Sequence, residues 1–129
     1  MKLVVLLISL IFTNNAFACF SPMGGPEYDS QIIITKLDGK NSYRVSVPRY
    51  MDDMPNEAEI ILAYSVGGAG GIPIYSNNEI LKPKVKNELL VADFTVQKKD
   101  GEPYVVVMWW PEQSGMCGIQ ANTTYLQVE

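Results

Sequence analysis

The chain has 129 residues, 47% of them apolar, with 10 basic and 14 acidic side chains and no histidine. Without histidine there is no Ser-His-Asp or Cys-His machinery and no histidine metal site, and two cysteines do not make a four-cysteine zinc site. A formal charge of −4 argues against a nucleic-acid binder, whose usual mark is a basic face.

Residues 1–18 read as an export signal. Lys2 supplies the positive start, residues 3–12 are apolar except for Ser9, and Ala16-Phe17-Ala18 has the small-x-small form that a signal peptidase accepts. A run of ten residues is too short to span a bilayer, which takes about 20. No later stretch approaches a membrane span. Cleavage after Ala18 removes Lys2 with the signal and leaves 111 residues carrying a formal charge of −5. The expected location is periplasmic or extracellular.

Cys19 then becomes the first residue, and Cys117 lies near the other end. In an oxidising compartment the two are expected to form a disulfide. The alternative is a lipid anchor on Cys19. A lipoprotein signal usually has Leu three residues before that cysteine and a small residue two before; here those positions hold Ala16 and Phe17. No Cys-x-x-Cys redox motif is present.

Beyond the signal the pattern has a period of two and no helical stripe. Residues 19–30, with Pro22, Gly24, Gly25 and Pro26, read as an irregular N-terminal segment. Residues 31–37 are isoleucine-rich, and Asp38-Gly39 is a hairpin turn. Tyr43, Val45 and Val47 alternate with Ser42, Arg44 and Ser46, and Pro48 ends that strand. Residues 49–59 form a polar loop. Residues 60–66 are a strand, 67–71 a glycine-rich break and 72–75 a short strand, with a turn at Ser76-Asn77-Asn78. In residues 80–86, Lys82, Lys84 and Lys86 beside Pro83 have the make-up of a blunted sheet edge. Residues 90–96 alternate again, and Asp100-Gly101 turns the chain. Residues 104–110 are apolar on both faces, as in a central strand. Residues 111–121 are a loop, and 123–128 a final strand. Eight short strands at this spacing predict an all-β, immunoglobulin-like β-sandwich over residues 31–129, with a small barrel as the alternative.

If each strand reverses its predecessor, the connections at Asp38-Gly39, 67–71, Asn87 and 111–121 share one end. The glycine-rich and Trp-Pro loops then become neighbours. The candidate binding residues are Trp109, Trp110, Pro111, Gly68, Gly70 and Gly71. Adjacent strand residues face opposite ways, so one tryptophan belongs in the core and the other near the loop surface. The competing reading packs both, one of them under the N-terminal segment. Glycines let backbone approach a ligand closely. No Lys-Ser or Lys-Thr follows them, so a phosphate cradle is not indicated. Asp52, Asp53, Glu57 and Glu59 form an acidic loop without EF-hand spacing. A catalytic carboxylate pair would be drawn from these or from Asp93 and Glu112. Asn122-Thr123-Thr124 is a glycosylation acceptor pattern.

Gly68-Ala69-Gly70-Gly71 followed by Trp110-Pro111 resembles two loop motifs of the chagasin-type cysteine-protease inhibitors. Those are small exported immunoglobulin-like proteins that block a protease cleft with three loops. The family's Asn-Pro-Thr-Thr-Gly loop has no counterpart here, and Trp109-Trp110-Pro111 replaces its Arg-Pro-aromatic element. The resemblance implies an inhibitor that acts through its loops.

The functional expectation is an exported, non-enzymatic protein that presents loops to a protein or glycan partner. It has no cofactor, no metal and no nucleic-acid partner. The alternatives are an inhibitor or immunity protein, a small carboxylate-dependent cell-wall or glycan hydrolase, and a lipoprotein anchored at Cys19.

Overall fold

The structure is a computed structural model that describes residues 23–66, 74–97, 101–112 and 117–129. Strands β1 (Ile33–Lys36), β2 (Ser42–Pro48), β5 (Lys84–Lys86) and β6 (Leu89–Thr95) form one sheet, in the order β1-β2-β6-β5. Strands β3 (Glu59–Val66), β4 (Ile74–Ile80), β7 (Glu102–Trp109) and β8 (Ile119–Asn122) form the other, in the order β4-β3-β7-β8. Every strand pairing is antiparallel. The arrangement is an immunoglobulin-like sandwich of A-B-E-D over C-F-G, with one further strand beside C.

Alternation builds the core. Tyr43, Val45 and Val47 of β2 and Leu90, Ala92 and Phe94 of β6 point inward. They meet Ile60, Leu62 and Tyr64 of β3 and Val105, Val107 and Trp109 of β7. Trp109 is fully buried, and its indole N–H donates to the Pro48 carbonyl at 3.0 Å. Tyr43 and Phe94 stack with ring centroids 5.9 Å apart. The outward side chains of β7 are apolar too. Tyr104, Val106 and Met108 form a second buried cluster with Ala63 on the far face of that sheet.

Several local expectations change. Residues 76–78 continue β4 instead of turning; pairing with β3 overrides the low strand propensity of Asn, and a register shift opposite Tyr64 and Ser65 absorbs the mismatch. The last strand is Ile119–Asn122, whose first three residues fall in the stretch expected to be loop, and not the expected 123–128. Residues 123–129 leave the ladder but keep two isolated bonds, from Thr123 N to Val105 O and from Leu126 N to Pro103 O. Their apolar side chains Leu126 and Val128 pack on the core, and the Tyr43 hydroxyl donates to Gln127 O at 2.5 Å. The irregular N-terminal segment contains a one-turn helix, α1 (Pro26–Asp29), with proline in its first turn, where a missing N–H costs nothing. Asp38-Gly39 does sit in a hairpin, but the left-handed residue there is Asn41, at φ 55°.

Strand direction also departs from strict alternation. Ser65 of β3 lies opposite Glu102 at the start of β7, and Glu59 lies opposite Met108 near its end. The chain leaves β4 at Ile80 and crosses to the other sheet through residues 81–83. It enters β5 without reversing, because β5 must run against β6, which itself runs against β2. One reversal is therefore missing between β3 and β7, and the strand ends that flank residues 67–73 lie at the opposite end of the sandwich from the end of β7.

Close packing at the end of β7 depends on a glycine. A Cβ on Gly118 would sit 2.6 Å from the Trp109 carbonyl oxygen, which is backbone and cannot swing away. Gly118→Ala is expected to cost about 1–3 kcal/mol through this clash. Trp109→Ala is expected to cost about 3–5 kcal/mol by emptying the core. Urea denaturation of the two variants measures both.

Candidate functional site

The site is built where β2 gives way to the loop 49–58 and β7 gives way to the loop 110–118. The 49–58 loop is tied at its root. Arg49 N donates to Glu88 O at 2.9 Å, and Ala58 N donates to Arg49 O at 3.0 Å. The Arg49 guanidinium donates to Glu57 Oε1 at 2.6 Å and lies 5.2 Å from the Tyr50 ring centroid. A tight turn follows, with Met54 N on Met51 O at 2.9 Å and Asp52 at φ 46°. Met54 is buried and pins this turn to the core. The Tyr28 hydroxyl donates to Asp52 Oδ2 at 3.3 Å, and burial followed by the nearby Asp52 charge raises the Tyr28 pKa.

Asn56 connects the two loops. Its Nδ2 donates to Trp110 O at 3.2 Å and to Pro111 O at 2.9 Å. The backbone on both sides of the Trp-Pro bond is thereby fixed. Trp110 is 44% exposed, and so is Tyr50 on the neighbouring loop. Strand alternation decides between the two tryptophans. Trp109 follows the inward parity of Val105 and Val107 and is a core residue, so it offers no contact surface. Trp110 is the exposed one, and Pro111 beside it is half-buried.

Cys19, Gly68, Gly70 and Gly71 lie outside the described residues. The strands flanking the glycine-rich stretch are described, and Val66 pairs with Ile74 at the Glu102 end of β7. That is the end away from Trp110. The shared end that strict strand alternation predicts for these two connections is not the arrangement of the strands that flank them. Cys117 is half-buried immediately before Gly118, and no cysteine among the described residues is free.

Several carboxylates of the alternative catalytic readings are engaged by other side chains. Glu57 is engaged by Arg49 and Asp52 by Tyr28. Asp93 lies on the outer face of the first sheet, whereas Glu112 follows β7 of the second. Arg44 grips Asp93 through two bonds of 2.6 and 2.8 Å. These bonds hold the Asp93 carboxyl below its ordinary 3.8, against the opposing pull of desolvation. Among the described residues no group of three or more His, Cys, Asp or Glu side chains is placed to hold a metal ion. Asn122 accepts from Gln120 Nε2 at 3.0 Å, and its main-chain N–H donates to Asp29 Oδ1 at 2.8 Å.

Sequence reasoning missed two parts of this site. Asn56 sits in a polar loop with nothing to mark it as a clamp. Tyr50 was hidden for the same reason, although an aromatic next to an arginine in a polar loop was a usable clue. No protein-family model matches the chain, and neither does any curated protein or any solved structure.

Two outcomes are expected. In Trp110→Phe the remaining indole is Trp109, so emission should be blue-shifted and resistant to iodide quenching; Trp109→Phe should leave a quenchable indole. The depressed Asp93 pKa means that the Arg44–Asp93 contribution is present above pH 3.8 and is lost as pH falls through the lower folded value. Asp93→Asn should therefore flatten the fall of melting temperature below pH 3.8, by a small amount because the pair is exposed.

Proposed function

We propose that this chain is an exported, non-enzymatic binding protein that engages a protein or glycan partner through Trp110, with the exposed Tyr50 as a second contact on the loop that Asn56 ties to the Trp110 backbone. The observation that carries this reading is an exposed tryptophan on a braced backbone. Exposing a large indole to water is unfavourable, and the Asn56 clamp fixes the backbone that carries it. An ordered aromatic anchor loses little conformational freedom when a partner covers it, and tryptophan and tyrosine are the side chains most enriched where binding energy concentrates.

Export by cleavage after residue 18 and a Cys19–Cys117 disulfide belong to the same reading. The pairing of Met23 with Ile119 supports the disulfide: Met23 N donates to Gly118 O, and Gln120 N donates to Met23 O. The chain four residues beyond Cys19 thus runs beside the chain two residues beyond Cys117. The bridge would brace the loop that carries Trp110.

Immobilised protein should capture one saturable partner from envelope or culture extract. Trp110→Ala should lower that affinity at least tenfold, as expected for an aromatic hot spot worth about 2 kcal/mol or more, with an unchanged melting temperature. A folded Trp110→Ala variant with undiminished binding removes this site assignment.

A further inference from the structure

Of the four strands at the sheet edges, β1, β5 and β8 are three or four residues long, and β8 is bridged by Met23. β4 runs for seven residues and contains neither lysine nor proline. A long edge with unpaired main-chain groups is a template for another strand. Two features of β4 decide whether a second copy of this chain can use it.

The first is the bulge. Tyr64 lies opposite Asn77 and Ser65 opposite Tyr75, so Ser76 is the extra residue and breaks the regular ladder there. Residues 77–80 stay in register with β3. Within them the free groups follow from one bond. Leu81 N donates to Ile60 O, which directs the main-chain groups of residue 81 toward β3. Antiparallel strands alternate, so those of Asn78 and Ile80 point away from β3. Both residues are exposed.

The second is Glu79. It lies opposite Leu62, which is fully buried in the core, so Glu79 stands on the core-facing side of its strand. Leu81, two residues on, fills that side with a buried apolar side chain. Glu79 is exposed there, and none of the ion pairs among the described residues takes it up. Lys82 lines the same groove of about 340 Å³ without forming an ion pair with it.

We infer that Glu79 keeps the β4 edge closed to a second copy of this chain. The free groups of residues 78 and 80 define the two-fold antiparallel pairings open to it. Asn78 opposite Ile80 of the copy sets Glu79 against its own counterpart, and like charges directly opposite are destabilising. Asn78 opposite itself sets Glu79 against residue 77, and Ile80 opposite itself sets it against Leu81. No pairing brings a cation opposite, and in each the carboxylate loses water as the two sheets join. Without that charge the first pairing becomes favourable. The strand is extended by a copy of itself, and Ile80, 63% exposed on the outer face opposite Ile61, gains cover.

Sedimentation equilibrium tests this. The natural chain should be a monomer. Glu79→Val should associate to twice the chain mass, at least about tenfold more tightly than the natural chain, with a melting temperature no lower. Glu79→Gln keeps the size and removes the charge, and it gives the same readout, more weakly, where the valine variant precipitates. Glu79→Lys should remain a monomer, because either sign repels its copy. Adding Asn78→Pro to Glu79→Val should restore the monomer, since proline deletes an N–H on the free side and spares the bonds to β3. A natural chain already associated through this edge, folded but monomeric Glu79→Val and Glu79→Gln variants, a dimeric Glu79→Lys, or a Glu79→Val dimer that survives Asn78→Pro each overturns the inference.

Discussion

The Trp109 side chain bonds across the two sheets and sets the site in place. Trp109 ends β7 on one sheet, and its indole N–H is satisfied by Pro48, the last residue of β2 on the other. A buried donor without a partner would cost about 1–3 kcal/mol, so this bond dictates where β2 must stop relative to β7. Proline suits the accepting position, because it supplies a carbonyl and needs no ladder partner for an N–H. Once Trp109 is inside, the next residue faces out, which makes Trp110 a surface residue without any further device. The Gly118 backbone must then pass within van der Waals reach of the Trp109 carbonyl. Core and site therefore share their geometry.

The four outer edges of the sandwich are treated differently. Beside β8 the N-terminal stretch adds a parallel bridge through Met23, and α1 packs nearby. β5 is three residues long and carries lysines. β1 is four residues long and its Lys36 pairs with Glu129. β4 is the longest of the four, and its bulge bends it. The far face of the second sheet is also unusual in holding buried apolar side chains away from the core. Tyr125 packs edge-on against Tyr104 there, with centroids 5.8 Å apart.

The fold was legible wherever one face of a strand is polar. The Tyr43-Val45-Val47 and Leu90-Ala92-Phe94 alternations mark β2 and β6 correctly, and the lysine row marks a true edge. The pattern failed where that contrast vanishes. β7 is apolar on both faces, so its parity gave no hint of which tryptophan is inside. Ile119-Gln120-Ala121-Asn122 is short and follows a cysteine and a glycine, whereas residues 123–128 alternate convincingly and yet peel away from the ladder. Strand direction across residues 81–83 depends on which sheet the chain enters next, and no local pattern encodes that. Asn56 acts through two carbonyls some fifty residues away in the chain, a relation visible only once the chain has folded.

The tail has a consequence for how the molecule comes into being. Tyr43 reaches Gln127 across 84 residues, and Lys36 reaches Glu129 across 93. Contacts this remote in the chain slow folding, since the loop must close before they reward it. The first hairpin, β1 and β2, therefore reaches its full set of partners only when the segment around residues 127–129 has folded back across the sheet.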